Sequence, residues 1–123
     1  MDYVMQSKYV GYKNTAVTTW NAVHSVIRED SALTINDVII SDYSASDGYA
    51  GLTYSDGRIK LNTHYLDNYT SYQKTNVVTH ELGHGLRLGH STSANVMYGT
   101  ASSRISLGAD DRESYNYAYA NRY

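Results

Sequence analysis

The eleven residues HELGHGLRLGH, at positions 80–90, combine side chains that bind metals with one that moves protons. His80 and His84 are four residues apart, so in a helix they project from the same face, one turn apart. Both imidazoles can then reach one zinc ion at the usual distance of about 2.0–2.1 Å. Glu81 lies beside the first ligand and can take a proton from the metal's water without binding the metal. This HExxH pattern predicts a zinc site built for metal-assisted hydrolysis.

A third ligand is expected from His90, six residues past His84. If the helix continued that far, His90 would lie about 240° around the axis from His84 and face away from the metal. The helix must therefore end soon after His84, and the chain must turn back. A glycine at position 87 would supply the required positive φ at no steric cost, but the residue there is Arg87. Gly85 and Gly89 offer the backbone two other places to turn.

The composition restricts both the metal ligands and the partners. The chain has 123 residues, enough for one domain, and no cysteine, so histidine and the acidic residues are the available ligands. With a net charge of -2 and scattered basic residues, the sequence contains no cluster of basic residues of the kind that binds nucleic acid or an anionic membrane. No apolar run approaches the roughly 20 residues of a membrane span. The start, MDYVMQSKYV, lacks the basic-then-apolar order of a signal peptide.

Helices and strands are predicted to alternate before the histidine segment. From Asn14 to Glu29 apolar residues recur at three- and four-residue steps, which predicts an amphipathic helix. DVIISDY, at 37–43, is rich in β-branched residues and predicts a buried strand. The turn signal Asp56-Gly57 lies between YAGLTY (49–54) and RIKLNTHY (58–65), which predicts a hairpin.

The histidine segment is predicted to lie on the next helix. Thr70 and Gln73 have the spacing of a capping box, and the apolar positions that continue this helix are Val77, Val78, Leu82 and Leu86. A loop is expected from Ser91 to Ser106.

A last helix is expected to begin near Gly108. Asp110 and Asp111 would be favourably placed in its first turn, and its packed residues would be Tyr115, Ala118 and Tyr119. The alternating tyrosines at 115, 117 and 119 also fit a strand. Helix, strands, helix, loop and helix is the order of an α+β domain.

Three segments together resemble one known family. HELGHGLRLGHS is similar to the HExxHxxGxxH segment of the metzincin metallopeptidases, most closely of the matrixin branch, with Arg87 where that family has glycine. ANVMY, at 94–98, resembles the Met-turn, with Met97 in the methionine position. SLGADDRESYNYAYA, at 106–120, resembles the start of the family's last helix. The resemblance implies a small metzincin-like (zincin) domain: a twisted mixed sheet with an active-site helix, a Met-turn loop and a C-terminal helix.

The resemblance covers most of the chain from about residue 13 onward. It implies that residues 1–123 form a single minimal metallopeptidase catalytic domain. Residues 1–12 match the family poorly, so the family's first strand is expected to be missing or displaced.

The resemblance also implies a function and the residues that perform it. The protein would be a zinc-dependent endopeptidase that holds one catalytic ion on His80, His84 and His90 and hydrolyses peptide bonds with a zinc-bound water activated by Glu81. Met97 would support the site from below without binding the metal. In the family, an extended peptide or protein substrate runs antiparallel to an edge strand. Its counterpart here is GYAGLTYS, at 48–55, where Gly51, Leu52 and Thr53 would bind substrate; Tyr98 would line the pocket for the residue after the cut.

Secretion is the family expectation for the location, and a monomer is expected. Calcium binding by Asp42, Asp47 and Asp56 is possible, but these acids lack the order of an EF-hand.

Two other interpretations remain open from the sequence. In a gluzincin-like site, Glu113 or Asp110 would replace His90 as the third ligand. Alternatively, the chain is a degenerate metzincin-like binding module, with its site broken at Arg87 and a tyrosine-rich surface that binds peptide or wall polymer. The presence of Glu81 argues against the second, because a purely structural site needs no base.

Three further side chains are expected to have ordinary packing or surface positions and no role in the site. His24 is expected to be packed or half-exposed, and His64 is expected at the surface. The Arg87 side chain is expected to face solvent, with the cleft as the alternative.

Overall fold

Nine secondary-structure elements make up the part of the chain that the structure, a computed structural model, describes: residues 1–29 and 38–119. In chain order they are β1 (Asp2–Gln6), α1 (Val10–Asn21), β2 (Arg28–Glu29), β3 (Val38–Tyr43), β4 (Gly51–Thr53), β5 (Arg58–Asn62), α2 (Thr63–Leu66), α3 (Ser71–Gly85) and α4 (Ala109–Tyr119). This is the predicted α+β fold. No helix in these residues is long and apolar enough to cross a membrane.

The five strands form one mixed sheet in the order β2-β1-β3-β5-β4. All neighbouring pairs are parallel except β4 and β5, which form the predicted antiparallel hairpin. β4 therefore lies at one edge of the sheet. In this hairpin Leu52 pairs with Lys60, while Asn62 donates its N–H to Ala50 and Tyr54 donates to Arg58. Since the two edges of a strand alternate, the N–H and C=O groups of Gly51 and Thr53 point away from β5.

The core joins the sheet to α1, α3 and the start of α4. Its largest fully buried side chains include Trp20 from α1, Ile40 from β3, Leu82 from α3 and Tyr115 from α4. The Trp20 indole also donates a hydrogen bond of 2.9 Å to the carbonyl of Thr79. These contacts fix α3, which carries HExxH, against the rest of the molecule.

Several predicted elements are confirmed. Thr70 and Gln73 form the reciprocal capping box that begins α3. The last segment is a helix rather than a strand, with Tyr115 fully buried and Tyr117 82% exposed. The strand at 37–43 is confirmed from Val38 onward, whereas Asp37 lies outside the described residues; Ile39 is 40% exposed, so only alternate residues of this strand are buried.

The predicted bounds of the first helix were wrong. It begins at Val10 and ends at Asn21, not at Asn14 and Glu29. Ile27 is buried as expected, but it lies outside the helix because the Asn21 side chain accepts from its N–H and donates to its C=O. The apolar periodicity continues past the helix because these residues still face the core.

Three short elements were not predicted. β1 lies within the residues that match the family poorly, and it is an inner strand of the sheet, paired with β2 on one side and β3 on the other. β2 contains only two residues. The expected strand at 58–65 ends at Asn62, because the Asn62 side chain accepts from the N–H of His64 and caps the short helix α2.

Candidate metal centre and cleft

α3 and the turn that follows it bring three histidines together. The ring centroids of His80 and His84, one helical turn apart, are separated by 4.6 Å. His90 lies 5.2 Å from His80 and 4.9 Å from His84 between ring centroids. One potential ligand atom from each residue lies within 4.8 Å of the others. The predicted three-histidine cluster therefore forms.

The bend that brings His90 to the other two histidines occurs at Arg87 itself. Arg87 has a φ of 71°, and it is the one non-glycine residue with positive φ in the described ranges. Its N–H binds the carbonyl of His84, and the N–H of Leu88 binds the carbonyl of Gly83. These two bonds form a Schellman motif, with arginine in the left-handed position that glycine usually occupies. The flanking glycines, expected as other places to turn, do not adopt positive φ.

The hydrogen bonds of the two helical histidines determine which ring nitrogens can bind a metal. Nδ1 of His80 lies 2.9 Å from the carbonyl oxygen of Val96, and Nδ1 of His84 lies 2.9 Å from that of Leu88. Since a carbonyl oxygen only accepts, both Nδ1 atoms must carry hydrogen, and both Nε2 atoms of the neutral rings present lone pairs. Carbonyl partners of this kind orient ligating imidazoles.

The distance between the two Nε2 atoms fits a cation between them. They lie 3.0 Å apart, where two lone pairs repel unless a proton or a metal ion lies between. Two nitrogens on one tetrahedral zinc at about 2.0–2.1 Å would be separated by about 3.3–3.4 Å. The donor set and its spacing therefore fit zinc. Burial also lowers the pKa of His80 to about 4, which keeps this imidazole neutral and able to bind a metal.

Glu81 is a buried carboxyl group at the floor of the site. It is 6% exposed, and the hydroxyl of Thr53 on β4 donates to its Oε2 at 2.5 Å. Burial raises the pKa of Glu81, while the Thr53 hydrogen bond and the electrostatic effect of the His84 imidazole act in the opposite direction. Gly51 makes room for the side chain, because a Cβ at this position would lie 2.8 Å from Cγ of Glu81.

Met97, in the loop expected to form the Met-turn, packs against Gly83 of α3. It is 1% exposed, and a Cβ at Gly83 of α3 would lie 2.3 Å from its sulfur atom. The chain thus needs glycine within HELGH for this close approach. Neighbouring Val96 supplies the carbonyl that binds His80.

Two buried residues that connect this loop to α4 were not recognised from the sequence. The Asp111 carboxylate, 1% exposed, accepts from the N–H groups of Val96, Met97 and Gly108 at 2.6, 3.0 and 2.8 Å. In return, the Asn95 amide oxygen accepts from the N–H groups of Asp110 and Asp111. The sequence indicated Asp111 only as an acid in the first turn of a helix, and no local signal relates it to residues fifteen positions earlier.

The histidines and Glu81 lie in a cleft of about 760 Å³. One wall is the loop and edge strand at 48–55, which contains Gly51, Leu52 and Thr53. Tyr98, which is 38% exposed, also lines this cleft. The predicted substrate-binding residues therefore line the same cleft as the predicted metal ligands.

The other candidate ligands lie outside the three-histidine cluster. Glu113 is exposed on α4, and Asp110 accepts hydrogen bonds from Ser91, Thr92 and Asn95. As expected, His24 is half-buried: it packs edge-on against Tyr115 and binds the Asn116 side chain. His64 is exposed, as expected.

Comparison with known proteins agrees with this geometry. The sequence model of the matrixin family, a peptidase family, matches residues 16–120. No curated protein was found to match the sequence. Among solved structures, archaemetzincin from Methanopyrus kandleri superposes with a TM-score of 0.72 at 12% sequence identity, over 98% of this chain and 96% of that one. At this identity the likeness shows the fold, which is metzincin-like.

Proposed function

This chain belongs to the matrixin family, and from that premise we propose that it is a zinc-dependent endopeptidase. The observation that carries the proposal is the three-histidine cluster with a buried carboxyl group beside it in an open cleft. We assign His80, His84 and His90 as the zinc ligands and Glu81 as the catalytic residue. When bound, zinc supplies Lewis acidity, which polarises a peptide carbonyl and makes water a stronger acid.

Glu81 would move the proton in this reaction. Thr53 holds Oε2 of Glu81, so we assign Oε1 as the atom that takes a proton from water and passes it to the nitrogen of the cleaved bond. Burial raises the pKa of this carboxyl group, which brings it closer to the pH at which a general base is most effective. Thr53 thus acts as a positioning residue for Glu81.

The free edge of β4 would bind the substrate main chain. The peptide groups of Gly51 and Thr53 point away from β5, into the position where an extended peptide can add as a further strand. We propose that the peptide lies antiparallel to β4, as the family resemblance implies, with the residue after the cut packed near Tyr98. Met97 supports the histidines from below. Secretion, the monomeric state, the single-domain organisation and calcium binding stay predictions.

The decisive experiment replaces Glu81 while leaving the ligands in place. Glu81→Gln should bind about one zinc ion per chain, as the wild type does, and lose cleavage of an unstructured protein such as casein by at least about a hundredfold. Zinc content is measured by mass spectrometry and cleavage by release of soluble peptides. Wild-type cleavage by Glu81→Gln would refute the mechanism, and a wild type without zinc or cleavage would favour a degenerate binding module.

A matched pair of variants separates the two candidate third ligands. His90→Ala should weaken zinc binding strongly, whereas Glu113→Ala should leave it unchanged, because only His90 lies in the cluster. The opposite result would indicate the gluzincin-like arrangement.

A further inference from the structure

Arg87 adopts a strained backbone conformation where glycine would adopt it freely. Its φ of 71° lies in the left-handed region, in the turn between the second and third histidines. Backbone strain of this kind in the wall of a binding cleft is a reason to look for a function of the side chain. The fold requires the turn, but it does not require an arginine there.

The Arg87 side chain lies at one end of the cleft. It is exposed and lines the main cleft together with Tyr54 and Ser55. It also lines an adjoining depression of about 270 Å³, which shares Thr53 and Tyr54 with the cleft. One nitrogen, Nη1, approaches the carbonyl of Ser55 at 3.4 Å. The guanidinium has five N–H donors, so most of them remain available in the cleft.

The positive charge of Arg87 forms no ion pair with a carboxylate among the described residues. It is the one lysine or arginine among the residues that line the cleft, and Glu81 is the one carboxylate. The ion pairs formed within residues 1–29 and 38–119 involve Lys8, Lys13, Arg28 and Arg58, not Arg87. A fixed positive charge without a carboxylate partner in a binding cleft attracts an acidic group on the ligand.

We propose that Arg87 forms a subsite for an acidic side chain of the substrate, on the amino-terminal side of the cleaved bond. This rests on the proposed function, in which the peptide lies antiparallel to β4. Glu81 is held at Thr53, the last residue of β4, and Arg87 lies beside Ser55, two residues further along the chain in the turn that follows β4. In an antiparallel peptide, that position corresponds to the second or third residue before the cut. The planar guanidinium suits bidentate binding of a carboxylate.

The test compares matched peptides that differ only by glutamate or glutamine at these two positions. For the zinc-loaded wild type, kcat/KM should favour glutamate by roughly three- to tenfold at low salt, and the preference should shrink as salt is added. Arg87→Gln, which keeps a non-glycine residue in the turn, should lose the preference, and Arg87→Lys should retain part of it. Arg112→Gln removes the same charge from exposed α4 and should keep the full preference.

Binding provides a second readout that does not depend on turnover. Fluorescence anisotropy with zinc-loaded Glu81→Gln should show the same preference for the glutamate peptide, and the double variant with Arg87→Gln should not. Equal cleavage and equal binding of the two peptides would overturn the inference but leave the peptidase assignment intact. A preference confined to residues after the cut would also overturn it. Absence of cleavage with a binding preference that depends on Arg87 would uphold this subsite and refute the peptidase proposal.

Discussion

At the scale of single residues, the three-histidine cluster depends on one helical turn of α3 and on the bend at Arg87 that follows it. HExxH spacing on a helix necessarily places His80 and His84 on one face, so the sequence predicted that these two histidines lie together with Glu81 beside them. His90 required a turn whose location the sequence left open between Arg87 and two glycines. The structure places the turn at the residue with the steric penalty, because the two Schellman hydrogen bonds require positive φ at that position.

The strain at Arg87 predicts a stabilising substitution. Arg87→Gly should raise the free energy of unfolding of the metal-free protein by about 1 kcal/mol, because relief of strain worth on the order of 1–3 kcal/mol is partly offset by the greater freedom of glycine in the unfolded chain. Urea denaturation measures this change. Arg87→Ala removes the same side chain without relieving φ and should give no gain. Equal stabilisation by both variants would show that the side chain, not the backbone, is the source of strain.

At the scale of elements, the loop that contains Met97 is joined to α4 by hydrogen bonds of buried side chains. Asp111 binds three backbone N–H groups, two of which belong to Val96 and Met97. The carbonyl of Val96 in turn accepts from His80. A change in α4 can therefore reach His80, a proposed metal ligand, through a single peptide unit.

These hydrogen bonds predict that Asp111 contributes far more to stability and to zinc binding than its neighbour Asp110. Asp111→Asn should lower the free energy of unfolding by about 2–4 kcal/mol, because it removes charge-assisted acceptors from buried donors. It should also weaken zinc binding by about 10- to 100-fold, as loss of a ligand's outer partners typically does. Denaturation and competition with a zinc chelator measure the two effects. Asp110→Asn, on the same turn but exposed, should cost less than about 0.5 kcal/mol; equal effects of the two variants would contradict the linkage.

Some element boundaries are determined by neighbouring residues, and others by contacts between residues that are distant in the sequence. The capping box of α3 lies within four residues, and the hairpin turn lies between its own strands, so both were predictable. The end of α1 depends on Asn21 binding Ile27, six residues later, and the apolar pattern contains no sign of it. β1 becomes an inner strand only because β2 and β3 pair with it on either side, which is a property of the whole sheet.

At the scale of the whole molecule, the edge of the sheet and the chain that follows Met97 line the same cleft. β4 at the sheet edge supplies Thr53 to Glu81, and the loop that contains Met97 supplies the carbonyl of Val96 to His80. The site thus depends on distant parts of the chain folding together. Its protonation should therefore affect global stability.

Two groups of the site, the half-buried His80 and the buried Glu81, act in opposite directions on the pH dependence of stability. The pKa of His80 is lowered from 6.5 to about 4, so the unfolded chain takes up this proton first as the pH falls. The stability due to neutral His80 is complete above about pH 6.5 and is lost as the pH falls towards 4. The raised pKa of Glu81 has the reverse effect: its stabilisation is lost as the pH rises above about 4.5.

Glu81→Gln isolates the contribution of His80. In the presence of EDTA, the free energy of unfolding of this variant should rise between pH 4.5 and 6.5, with an upper limit of about 3 kcal/mol from 1.36 kcal/mol per pH unit. The wild type should show a shallower rise, because Glu81 opposes it. Urea denaturation at steps of half a pH unit gives both curves. Adding His80→Asn to Glu81→Gln should flatten the rise; a curve that keeps its slope without His80 would assign the titration to another group and remove the argument that burial holds this ligand neutral.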